Sequence, residues 1–233
     1  MVTFTNSGRK DVYIDGPTKT YIAGARIPFG AAVMRSGTLG RIKAVVLEDE
    51  DSVLGFACSD EEEHTYDGFY EIGEPVEVAL KGARVYANVI TTANTSPVAG
   101  DFMDVADHTS GTAATGTGCI EESGAGANVG ETRVITTSIA QLLEDLTLTS
   151  AIYAAPSSTP TAGESTIAMT SGGPTTMGLQ VGDFILIADA NGTDAQVNAV
   201  TAITDTQLTV QIPITTVAAD VIYAIRQGEV LVI

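Results

Sequence analysis

From Ile27 to Gly82 the chain is built of short apolar runs joined by Gly, Pro and acidic turns: IPFGAAVMRSG, RIKAVV, SVLGFACS, an acidic stretch, and PVEVALKG. Val53 to Cys58 is a continuous apolar run, the pattern of a strand buried on both faces. From Pro75, Val76, Val78 and Leu80 face one way and Glu77 and Ala79 the other, which is the period-two signature of a half-buried strand. Ala83 to Ile90 repeats that pattern after a turn at Gly82. No reactive constellation interrupts these strands. The stretch reads as a compact β module that displays surface, and it argues against an enzyme.

The 233 residues leave room for one large or two smaller domains. Two are expected, because AAPSSTPTAGEST from Ala154 to Thr166 has linker composition and the composition changes around it. From residue 151 onward Arg226 is the only cation. There the runs STIAMTS, GDFILIA, AQVNAVTAI, QLTVQIPI, DVIYAIR and EVLVI predict six short strands, suited to a small barrel or sandwich. The expected division is residues 1–150 and 151–233, both all-β, with no internal repeat legible between the halves. Residues 91 to 130 read as hairpins with long Thr, Ala, Ser and Gly loops. Ser138 to Gln141 has capping-box spacing, with Ile139, Leu142, Leu143 and Leu146 at helical intervals, which favours a helix. A final strand through ITTSIAQLL is the competing reading.

A net charge of −18, from 11 Lys and Arg against 29 Asp and Glu, disfavours nucleic acid, whose binding needs clustered cations. The same field repels anionic lipid surfaces and keeps crowded copies soluble. It also fits a high-salt habitat, where self-repulsion is screened. The first residues lack the apolar core of a secretory signal, and no run of about 18 apolar residues occurs, so a soluble product is expected. The least acidic part is the start, where Phe4, Arg9, Lys10, Tyr13 and Tyr21 form an arm or edge-strand pattern. These five are the candidate partner-binding residues, able to latch a neighbour by strand addition. An ordinary first hairpin explains the same residues.

Chemical suspects have commoner structural explanations. Glu48 to Asp51 and Asp60 to Glu63 are runs of adjacent acids, the pattern of solvated loops, although hard cations could use their oxygens. Asp189, Asn191 and Asp194 in DANGTD lack the distal Glu of a calcium loop, and Asn191-Gly192 signals a hairpin turn. Asn94-Thr-Ser96 and Asn191-Gly-Thr193 match the glycosylation acceptor pattern. His64 and His108, with Cys58 and Cys119, offer no closely spaced ligand pair for zinc. The thiol in VLGFACS is expected to be a small buried hydrophobe rather than a disulfide partner. No G-x-S-x-G elbow is present, and the Gly-rich segments lack the Lys-Ser/Thr ending of a phosphate loop. No catalytic residue, metal or cofactor is expected.

Three segments carry a family pattern: Ile27-Pro28-Phe29-Gly30-Ala31-Ala32-Val33 as I-P-x-G-x-x-V, Val53-Leu54-Gly55-Phe56-Ala57 as V-L-G-x-A, and Pro75-Val76-Glu77-Val78 as P-V-x-V. Through them, Ile27 to about Leu148 resembles the head decoration, or structural cement, proteins of tailed viruses of bacteria and archaea. The resemblance implies a β-tulip barrel within residues 1–150, assembled as a homotrimer over three-fold sites of an icosahedral shell. It further implies the major capsid protein as partner, no cofactor, and a place on the virion after synthesis in the host cytoplasm. Residues 151–233 look like the small β modules of virion surface proteins, and an outward-projecting barrel is expected. Two other classes fit the composition. A cell-surface or S-layer adhesive protein would require export. A polysaccharide hydrolase would need aromatic faces for sugar rings, and the chain has no Trp.

Overall fold

A computed structural model describes residues 15–45, 52–58, 68–90, 97–106, 117–123, 138–146, 153–154, 156–188, 195–215 and 221–233. These are almost entirely β. The acidic runs Glu48 to Asp51 and Asp60 to Glu63, both histidines, Asn94, the DANGTD turn, and Phe4, Arg9, Lys10 and Tyr13 lie outside the described residues.

The first barrel closes in the order β1 (Thr18–Ala23), β4 (Arg41–Ala44), β3 (Ala32–Arg35), β5 (Val53–Ala57) and β7 (Pro75–Ala79), with β7 returning to β1. A small ribbon of β2 (Ile27–Pro28) and β6 (Phe69–Tyr70) stands beside it. Alternation fills the interior: Val33, Ile42, Ala44, Val76 and Val78 meet Ile27, Phe29 and Tyr70, with Leu80 packed against them. The segments IPFGAAV, VLGFA and PVEV therefore converge on this one barrel and its ribbon.

The second barrel closes in the order β10 (Ile120–Glu122), β8 (Arg84–Val89), β18 (Arg226–Val232), β11 (Ala140–Leu142) and β9 (Phe102–Val105). Numbered by position along the chain, the five strands of each barrel run first, third, second, fourth, fifth around the circle. In both, the first and third are parallel and every other neighbouring pair is antiparallel. The topology is thus duplicated, although the sequence shows no repeat. Barrel closure needs apolar side chains at alternate positions and a set of nonlocal pairings, and neither requires residue identity.

The two barrels are fused. Ala32, Met34, Phe56 and Ala79 point out of the first barrel into the cluster that holds Val85, Ala87, Met103, Ile120, Leu142 and Val230 of the second. Asn88 Nδ2 donates to the Phe29 carbonyl at 2.8 Å and Asn88 N–H to the Gly30 carbonyl at 2.9 Å. Ala32 N–H reaches the Gly118 carbonyl at 2.8 Å, so backbone bonds cross the junction on both sides of β3's start.

Between the fourth and fifth strands of the second barrel the chain makes a third unit. It is an antiparallel sheet ordered β12 (Tyr153–Ala154), β17 (Val221–Ala224), β14 (Phe184–Ala188), β15 (Ala195–Thr204), β16 (Gln207–Val210) and β13 (Thr166–Ala168), with a one-turn helix, α1 (Gly173–Thr176). One face carries its own core of Ile167, Met177, Ile185, Ile187, Leu208 and Ile222. The other face, with Phe184, Leu186, Val197 and Ala199, packs against Phe69, Ile90, Cys119 and Ile225. Phe69 and Phe184 meet edge to face at 5.3 Å. Burial on both faces is why FILIA is an unbroken apolar run.

Three expectations change here. All six strands expected after residue 151 form, but the last, β18, leaves that unit and completes the second barrel between β8 and β11. A chain division at residue 150 therefore does not separate the sheets, and the third unit is docked on the barrels through a buried face. The Ala154 to Thr166 segment is not a free linker: Pro156 bridges Met169, Ser157 N–H bonds the Ala168 carbonyl, and Gly163 N–H bonds the Ile214 carbonyl. Finally, Ser138 to Leu146 contains the strand β11 and no helix. Ile139, Leu142 and Leu143 donate their N–H groups to Met103, Asp101 and Glu229, so tertiary pairing on both sides overrides the capping-box pattern.

Candidate interaction surface

The parallel seam of the first barrel is short. Strands β1 and β4 share only Ile22↔Arg41 and Ala23↔Ile42, because β4 begins where the Gly37–Gly40 turn ends. That turn is closed by Ser36 N–H to the Arg41 carbonyl and Arg41 N–H to the Thr38 carbonyl. Gly37 and Gly40 adopt φ of 24° and 76°, backbone that glycine accepts readily. Before Ile22, β1 pairs with β7 alone among the described strands. The result is an open groove of about 550 Å³, lined by Lys19–Ile22, Arg35 and Gly37–Arg41.

Three of the chain's 11 cations, Lys19, Arg35 and Arg41, line this groove, and among the described lining residues there is no carboxylate; the nearest along β1 is Glu77, which accepts the Thr18 hydroxyl at 2.6 Å. Among the described residues none of the three is in a salt bridge, whereas Arg26, Arg84 and Arg226 pair with Glu71, Glu229 and Asp183. Lys19 Nζ lies 5.3 Å from the centre of the Tyr21 ring, a cation–π contact that holds the ammonium at the groove wall. At the turn tip Leu39 is 98% exposed, and Ile22 adds a further exposed apolar side chain at 38%.

The backbone also faces the groove. Ala23 donates to Glu74 and the Pro17 carbonyl accepts from Leu80, both on the β7 side, while Ile22 donates to Gly40 on the β4 side. By strand alternation Thr18 and Thr20 share the sense of Ile22 and direct their N–H and C=O groups toward the groove.

Of the five partner-binding candidates, Tyr21 lies in this groove with its ring packed against the barrel core. Arg35, Leu39 and Arg41 join it there and are not among those five. Their sequence signal is the pair of arginines bracketing an SGTLG turn with an apolar tip.

Elsewhere among the described residues, burial is the first cause of each shifted titration. Cys58 and Cys119 are both free and buried, and burial pushes each thiol up to about 12, leaving them protonated at neutral pH. Burial also raises the Asp183 carboxyl, against the opposing Gln180 N–H bond and the Arg226 charge. Glu122 is raised by burial and by the nearby Asp101 charge. Among the described residues no group of three or more His, Cys, Asp or Glu could hold a metal ion, and no helix is long and apolar enough to cross a membrane. No protein-family model and no curated protein sequence matches the chain.

Proposed function

We propose that the protein decorates an icosahedral capsid and cements it by bridging subunits of the major capsid protein, as a non-enzymatic homotrimer on the virion surface. The observation that carries this reading is the convergence of IPFGAAV, VLGFA and PVEV on one barrel, which also bears the cationic groove. A shell loaded with genome fails where capsomers separate. A protein bound across that junction adds a restoring free energy, about 25 cal/mol for each Å² of apolar area buried, less the cost of association. Three linked copies engage three sites together, so modest contacts combine through effective concentration. The fused barrels suit this load, because a pull on one is transmitted through shared core rather than a tether.

The test uses shells assembled from purified capsid protein of the host virus. Saturable binding of this protein, with a raised rupture temperature, is the expected result. Absence of binding at micromolar concentration would overturn the proposal.

A further inference from the structure

We infer that the groove between β1 and the Gly37–Gly40 turn is a strand-addition site for an extended acidic segment of another protein. A polypeptide is selected because Thr18 and Thr20 present main-chain donors and acceptors there, in the spacing a strand reads. A strand laid along β1 would continue the line of β4 before Arg41, where among the described residues β1 pairs on its other edge alone.

The charge pattern selects an acidic sequence. Lys19 and Tyr21 share the inward sense of Ala23, and Arg35 shares that of Val33, so these groups sit at the barrel mouth. Arg41 precedes the inward Ile42 and therefore faces outward. Carboxylates on either side of an added strand thus find a cation. Leu39, exposed at the tip, supplies apolar contact for an intervening side chain.

The protein's net charge of −18 opposes an acidic partner at long range. Screening limits that opposition, since the Debye length is about 8 Å at physiological ionic strength and the groove cations act at contact. The chain's own first residues fit poorly, for Arg9 and Lys10 would meet like charge. The inference concerns the groove whichever protein carries the segment, so it can fail while shell binding stands, and the reverse.

The probe is a fluorescein-labelled peptide of about eight residues alternating Glu and Val, titrated by anisotropy against the full chain. Two further peptides replace Glu by Lys or carry N-methyl groups on alternate amides along each edge. Saturable binding of the Glu peptide is expected, at least about tenfold tighter than either control. The double variant Arg35→Glu/Arg41→Glu should lose at least about tenfold. Thr20→Pro should lose a similar factor, because it removes a groove-facing N–H without touching the β7 pairing. Both variants should keep the melting temperature within about 3 °C, well below the shift that accompanies a lost core contact. No binding, equal binding of the Lys peptide, or equal binding of the methylated peptides would overturn the inference. So would sedimentation showing that the groove is filled by a second copy, with the charge-reversed variant becoming monomeric.

Discussion

Replacing Gly55 with Ala should cost about 4 kcal/mol or more of unfolding free energy, the size reserved for backbone clashes in a core. Gly55 sits in β5 at φ 155°, where β5 is squeezed between β3 and β7 and the β3 register shifts between Val33 and Met34. A Cβ there would lie 1.9 Å from the Ala79 carbonyl oxygen, a backbone atom fixed by the barrel itself. Relief would require opening the β5–β7 pairing, which also anchors Phe56 and Ala57 in two cores. Gly82→Ala is the control. Its φ is 91°, but nothing lies within 4 Å of the added carbon, so only the conformational penalty of about 1–2 kcal/mol remains. Urea unfolding of the two variants separates the effects. Equal losses would mean that β5 is not clamped between its neighbours.

Removing residues 226–233 should dismantle the second barrel and leave the protein without a cooperative transition. Strand β18 pairs with β8 from Arg226↔Val89 to Leu231↔Arg84, and its other edge pairs with β11. Its loss exposes the backbone edges of both neighbours and the core around Val85, Leu142 and Val230. The fused core carries the damage into the first barrel. Hydrogen exchange in β8 and β9 measures it directly: protection should collapse there, far from the cut in sequence. If protection falls only within residues 153–224, the last strand belongs to the third unit after all.

Strand positions were legible in the sequence, and their partners were not. Val76 and Val78 alternate with Glu77, and FILIA is apolar throughout, because local burial leaves a local trace. EVLVI reads as a strand for the same reason, yet whether it joins the sheet that precedes it or a barrel begun at Arg84 is decided by pairing about 140 residues away in the chain. Ile139, Leu142 and Leu146 satisfy a helical stripe and a barrel lining equally, so β11 emerges only once β9 and β18 are in place on either side. The duplicated strand order left no trace because it is a property of pairings alone.

The groove illustrates the same limit. Tyr21 stands out in the sequence for lying in an aromatic, less acidic stretch. Arg35 and Arg41 join it only because β1 and β4 run parallel, bringing Ile22 beside Arg41. The arginines carry no periodic signal of their own, and a cation on a turn is ordinarily just solvated. What distinguishes these is the company of Lys19 and Leu39 across a seam that the barrel leaves partly open.

The most direct measurement is an image of the native particle by electron cryo-microscopy with the protein's density traced. The expected result is fused paired barrels seated on the shell at three-fold positions, three copies to a site, with the first barrel against the major capsid protein. Purified particles that contain no such density would contradict it.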